Sequence, residues 1–273
     1  MGEKIMYKLI ALDMDGTLLK EDKTISQLTQ EAIQKAKEKG VKIVLASGRP
    51  VEGIHRYLEQ LNLMSGEDFV VSYNGAIVQN TKTKEIISRT VLTGRDLHEL
   101  YTLSKTLGVN IHAFSQEGCI TPKLTKYSIL EGEINGIPVV EKNYETIQES
   151  EEIIKIMMVD EPERLQEAID QLPAYLYEKY TIVRSAPFFL EFLNKEVNKG
   201  VGVEALANSL GIKREEVICM GDAGNDEHMI RYAGLGVAMG NAFDEIKAIA
   251  DFVTKSNDED GVAYVIEQFV LKA

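Results

Sequence analysis

Two carboxylates one residue apart, Asp13 and Asp15, close the apolar run Leu9 to Leu12 and are followed at once by Gly16 and Thr17. Alternate residues of an extended chain share a side and lie roughly 6 to 7 Å apart, so the pair could address one small group. An Asx turn after a strand is the plainer alternative. Three further clusters carry similar chemistry: Ser47-Gly48-Arg49-Pro50, the lone Lys199, and Gly221-Asp222-Ala223-Gly224-Asn225-Asp226. If the strands before them are neighbours in one parallel sheet, all of these lie at one edge, where open α/β sheets bind ligands. Three carboxylates around a small space repel one another unless a cation sits between them. A hard divalent ion with oxygen ligands, Mg²⁺ first among them, meets that need and can draw in a phosphate. Asp13 could then attack phosphorus as a carboxylate, while Asp15 protonates the departing alkoxide and later takes a proton from water. Ser47, nearby backbone N–H groups and Lys199 would hold the phosphoryl oxygens.

The surrounding pattern predicts the elements that place these groups. Leu9 to Leu12 is too continuously apolar for a half-exposed strand and reads as a central parallel one. Ser26 can cap a helix carrying Leu28, Ala32, Ile33 and Ala36 that Gly40 ends. Val41 to Ala46 and Phe69 to Ser72 are further strands, and the alternation predicts a doubly wound parallel sheet. Thr81 to Lys84 reads as a polar connector into a different texture, a compact α+β module with helices ending at Gly108 and starting at Pro162. Within it, Thr125 to Ser150 has no resolvable pattern. Asn194 to Asn198 leads back to α/β texture, with strands at Val217 to Met220, Leu235 to Met239 and Phe252 to Thr254. The expectation is a Rossmann-like α/β core, residues 1–83 and 193–273, interrupted by an inserted α+β cap domain, residues 84–192.

Composition narrows the partners. A net charge of −13 argues against nucleic acid and anionic membranes, which need a basic face. No stretch approaches the apolar length of a membrane span, and the basic Lys4 and Lys8 precede no signal-peptide pattern, so a cytoplasmic location is expected. Cys119 and Cys219 match no disulfide or zinc spacing and read as packing residues. His55, His98, His112 and His228 share no ligand spacing either, although His112 in the insert could face substrate.

Asp13-Met-Asp-Gly-Thr17, Ser47-Gly-Arg-Pro50, Lys199 and Gly221-Asp-Ala-Gly-Asn-Asp226 resemble, in order, the four motifs of the haloacid dehalogenase-like hydrolases. The size and place of the insert resemble the Cof-type branch of that superfamily. The resemblance implies that Asp13 is the nucleophile and that Asp13, Asp15 (through its backbone carbonyl) and Asp222 bind Mg²⁺. It also implies that Met14 through its N–H, Ser47, Gly48, Lys199 and Asn225 contact phosphate, with Asp226 in support. The expected activity is hydrolysis of a small phosphorylated metabolite, a sugar phosphate foremost, with substrate choice made by the cap. Tyr73 and Asn74, at a strand tip, could meet the leaving group. Arg49 could contact an anion or pair with a core carboxylate. A phosphomutase sharing the same intermediate and a non-catalytic phosphate-binding module are the rivals. A dehalogenase, which needs no proton donor for halide, fits Asp15 poorly.

Overall fold

The computed structural model describes residues 6–272, and Lys4 lies outside them. β1 (Leu9–Leu12) is buried along its whole length, as an apolar strand covered on both faces must be. α1 (Gln27–Glu38) starts at Ser26, whose Oγ accepts from the Thr29 N–H at 3.1 Å. Then follow β2 (Lys42–Ala46), α2 (Val51–Gln60), which begins directly after Pro50, and β3 (Phe69–Ser72). The sheet does not end there. β4 (Ile77–Asn80) and β5 (Ile86–Arg89) continue it antiparallel. Thr81 to Lys84 is therefore a hairpin turn and not a passage between domains. Asn80 Oδ1 accepts from the Lys82 and Thr83 N–H groups at 2.9 and 2.8 Å, a local capping that makes the polar stretch a tight turn.

The chain divides into two compact units, residues 1–89 with 198–273, and residues 90–197. Because β5 belongs to the first sheet, and the strand Phe189–Asn194 to the sheet of the insert, the boundaries fall a few residues beyond those expected from the connectors. The inserted unit contains β6 (Leu92–Thr93), α3 (Gly94–Leu107), β7 (Asn110–Ser115), β8 (Gly118–Thr121), α4 (Lys126–Asn135), β9 (Val139–Glu141), β10 (Glu152–Ile153), β11 (Lys155–Val159), α5 (Pro162–Asp170), α6 (Tyr175–Lys179), β12 (Tyr180–Ala186) and β13 (Phe189–Asn194). Six of these strands form one sheet in the order β12-β13-β11-β7-β8-β9. Its Ile111, Ala113, Ile156, Met158, Leu190 and Phe192 pack with Leu97 and Leu100 of α3 and Leu165 of α5. The intervening residues of the same strands, His112, Phe114, Lys155, Met157 and Glu191, share the other face, as the two-residue period of a strand requires.

After the insert come α7 (Lys199–Ser209), β14 (Val217–Gly221), α8 (Glu227–Tyr232), β15 (Leu235–Ala238), α9 (Asp244–Ile249), β16 (Phe252–Val253) and α10 (Gly261–Ile266). The core sheet runs β16-β15-β14-β1-β2-β3-β4-β5 and is parallel from β16 to β3. Successive residues of β1 serve opposite layers. Ile10 and Leu12 join the cluster containing Ala32 and Ile33 of α1, while Leu9 and Ala11 join the one containing Val203 and Leu206 of α7. Each unit buries one free cysteine, Cys219 on β14 and Cys119 on β8. Among the described residues no helix is long and apolar enough to cross a membrane.

Candidate active site

In register, Leu12 of β1 lies between Met220 of β14 and Leu45 of β2, so Asp13, Asp222 and Ser47 all emerge at one sheet edge. The Asp13 N–H extends the ladder to Met220 O at 3.0 Å. Its carboxylate, 7% exposed, receives Lys199 Nζ at 2.5 Å, and the same ammonium reaches Asp226 Oδ1 at 2.7 Å. Lys199 is held there as the first residue of α7, whose N-cap Asn198 accepts from the Val201 N–H at 3.0 Å. Burial disfavours the lysine's charge, yet Asp13 and Asp226 outweigh it and raise its pKa above the ordinary ammonium value. Burial and the neighbouring Asp226 and Asp222 carboxylates push Asp13 well up, against the opposing pull of Lys199.

Asp226 is fully buried, and its second oxygen accepts from the Asp222 and Ala223 N–H groups at 2.9 and 3.1 Å. Both of its oxygens are thereby engaged, which makes it the pivot of the turn that presents Asp222. Gly221 permits that turn, since a Cβ there would lie 2.4 Å from Asp226 Cβ. Across the site, Gly16 has φ +86°, and a side chain would strike Asp222 Oδ2 at 2.4 Å. Asp222 Oδ1 accepts from Thr17 Oγ1 at 3.1 Å. Burial and Asp226 push the Asp222 carboxyl up to about 6, and it lies within hydrogen-bonding reach of Asp13. Two ionised carboxylates so close need a cation or a shared proton between them. Asp13, Asp222 and Asp226 offer oxygens within 4.8 Å of one another, a group able to hold a metal ion. With Asp226 already committed, Asp13 and Asp222 are the better ligands.

Asp15 points into different company. Arg49 grips it with Nη2 at 2.8 and 2.7 Å and Nε at 3.1 Å, and Lys23 Nζ adds a contact of 2.8 Å. Partial burial raises its pKa, but these two cations prevail and hold the carboxyl below the usual range. Of the two roles open to Arg49, the structure shows the ion pair. Lys23 carries no sequence signal: it lies in a polar loop, at φ 62°, where one lysine among several polar residues stands out in no pattern.

Ser47 is buried, with its N–H bonded to Val71 O at 2.9 Å and its Oγ accepting from the Arg49 N–H at 3.2 Å. Gly48 faces Asn74, whose amide nitrogen would stand 3.0 Å from a Cβ at that position. Asn74, left-handed at φ 56°, accepts from Asn225 Nδ2 at 3.2 Å, so the two motifs are tied together by their amides. Tyr73 and Met14 are buried as well. Asn241 and Asn257, neither of which was given a role from the sequence, brace the first loop by donating to Gly16 O and Leu19 O at 2.8 Å each.

The sequence profile of the haloacid dehalogenase-like hydrolases matches residues 10–266. The chain belongs to this family. As a haloacid dehalogenase-like hydrolase it is 45% identical over 268 residues to YxeH of Bacillus subtilis, provisionally named a phosphatase, covering 97% of this chain and 99% of that one. A haloacid dehalogenase-like hydrolase of Bacteroides thetaiotaomicron shares the fold at a TM-score of 0.85 with 36% identity, over 96% of this chain and 99% of that one. The subclass IIB sugar phosphatase BT4131 does so at 0.79 with 28% identity, over 96% and 98%. Phosphatases are thus among the relatives of this haloacid dehalogenase-like hydrolase across nearly its whole length.

Proposed function

We propose that the protein is a Mg²⁺-dependent phosphatase that hydrolyses small phosphate monoesters, sugar phosphates foremost, through an aspartyl-phosphate. The observation that carries the reading is the buried Lys199 Nζ at 2.5 Å from Asp13 Oδ1, with Asp222 alongside. A carboxylate sequestered from water beside a fixed cation suits a nucleophile for an anionic centre. The close approach of Asp13 and Asp222 fits a divalent ion, which those two side chains and the Asp15 carbonyl would hold. When bound, Mg²⁺ would offset the charge of carboxylate and phosphate.

Asp13 attacks phosphorus through the oxygen that Lys199 does not hold, and the phosphorus–oxygen bond to the alcohol breaks. Asp15, released from Arg49 and Lys23 and protonated, gives its proton to the departing alkoxide. In the second half, Asp15 takes a proton from water, the hydroxide oxygen bonds to phosphorus, and the bond from phosphorus to Asp13 breaks, restoring the carboxylate. Ser47, Lys199, Asn225 and the N–H groups of Met14 and Gly48 hold the phosphoryl oxygens, and Asp226 fixes Lys199 and the Asp222 turn. Tyr73 and Asn74 support the Ser47 loop from the adjacent strand tip.

The test is phosphate release from a panel of sugar phosphates and phenyl phosphate, with Mg²⁺ or EDTA, by wild type and Asp13→Asn. Release that requires Mg²⁺ and falls roughly 10⁴-fold or more in the variant is the expected result. Release that survives Asp13→Asn, or none from any ester in Mg²⁺, would overturn the reading.

A further inference from the structure

The core unit carries a cavity of about 440 Å³ that the chemistry above does not use. Glu204 of α7, Ile212, Lys213 and Arg214 of the segment leading into β14, and Arg231 and Tyr232 at the end of α8 line it. Arg214 precedes β14 and Asp222 follows it, with the five residues of the strand between them. At about 3.3 Å per residue, the cavity opens at the sheet edge opposite the active site.

Three cations gather here on a chain whose net charge is −13. Among the described residues Lys213 Nζ has no hydrogen bond or ion pair, and the Arg214 guanidinium donates only through Nη2, to Arg231 O at 3.1 Å. That bond fixes the guanidinium and leaves its Nε and Nη1 donors open. Arg231 is paired, its Nε donating to Glu227 Oε1 at 2.8 Å. The Glu204 carboxylate has no partner among the described residues either, although two uncommitted cations share its cavity. Tyr232 is half-buried, and burial and then Glu204 raise its pKa, which keeps the hydroxyl a donor at neutral pH. Cations near a helix end can serve its last carbonyls alone, and Arg214 serves α8 in that way. Lys213, Glu204 and the Tyr232 hydroxyl have no such task.

An ammonium beside a guanidinium fork, in a concavity that focuses their field, suits a phosphate group. Glu204 repels a bare anion, so the matching ligand also carries hydrogen-bond donors. Ile212 and the Tyr232 ring supply an apolar wall for its frame, and the volume is that of a small-molecule site. We propose that this cavity binds a phosphate monoester with hydroxyl or amine donors on its frame, the phosphate on Lys213 and Arg214 and the donors on Glu204, as a second site apart from the catalytic one.

Two measurements on the full chain test it. In EDTA, with ¹³C-tyrosine-labelled protein, the ring signal assigned through Tyr232→Phe shifts saturably with ribose 5-phosphate or AMP, and inorganic phosphate binds about tenfold or more weakly. Replacing Lys213→Gln and Arg214→Gln together raises the half-saturating ester concentration by about tenfold or more, the scale of lost hydrogen bonds between charged groups. The same double variant leaves kcat/KM on phenyl phosphate in Mg²⁺ unchanged. Either ester supports the site, and the tighter one tells a nucleotide from a sugar phosphate. A shift that survives the double variant originates at the active site and overturns the proposal. The absence of any saturable shift also overturns it, leaving Lys213 and Arg214 as plain surface cations. Should the double variant not fold, Glu204→Gln decides: it narrows the gap between ester and inorganic phosphate, and a gap of unchanged width refutes the ligand class. No turnover of phenyl phosphate by wild type counts against the phosphatase reading alone.

Discussion

Lys199 shows how much one side chain can be asked to do. Its ammonium is the shared partner of Asp13 and Asp226 in a place with no solvent exposure, so its removal leaves two carboxylates buried without their cation. Lys199→Met is expected to cost about 3 to 5 kcal/mol of stability, read by urea denaturation in EDTA, and to abolish turnover. A variant with unchanged urea midpoint would contradict the pairing. Asp13, Asp222 and Ser47 were legible in the sequence because each follows an uninterrupted apolar run, which marks a strand tip. Lys199 was legible only through its neighbours in the motif order. The Asp15 clamp was half visible: Arg49 stood out beside a proline at a strand tip with two roles open, whereas Lys23 sits in a loop whose composition singles out no position. Asn241 and Asn257 act through loop backbone, which no periodicity reports.

At the scale of elements, the core strands could be read because parallel strands buried on both faces need continuous apolar sequence. The hairpin β4–β5 could not, since its polar turn has the composition of a linker. α4 escaped for another reason: Ile129 and Ile134 are exposed while Glu131 and Asn135 are buried, the reverse of the usual amphipathic stripe. The charges on β11 and β13 are single residues in apolar strands and reveal themselves only when the register brings them together. His112 gives this sheet a pH dependence of known sign. Burial and then Lys155 lower its pKa from 6.5 to about 3, so between those values the unfolded chain binds a proton that the folded one does not. Stability from this group is present above pH 6.5 and is lost progressively as pH falls toward 3. His112→Leu should flatten the fall of unfolding free energy between pH 6.5 and 4, measured by denaturant titration at each pH. An unaltered slope would mean that the ring is protonated in the folded protein.

Over the whole molecule, the order of texture along the chain, α/β then α+β then α/β, was enough to show a discontinuous core with an insert. The limits of the two units depended on sheet pairing at β5 and β13, which sequence texture does not encode. Cys119 and Cys219 fall one to each unit, and both thiols are held protonated. Burial, with Glu131 adding to it, pushes Cys119 up to about 12, and burial with Asp226 pushes Cys219 up as well. Since the thiolate is the reactive form, alkylation of either by iodoacetamide at pH 7.5 should be about a thousandfold or more slower in the folded protein than in urea. Rapid labelling of either without denaturant would show that its strand is open to solvent. With one thiol replaced by alanine at a time, the remaining sulfur becomes a local clock. Its labelling rate times the opening of its own unit, so the chain carries an intrinsic pair of chemical reporters that need no engineered probe.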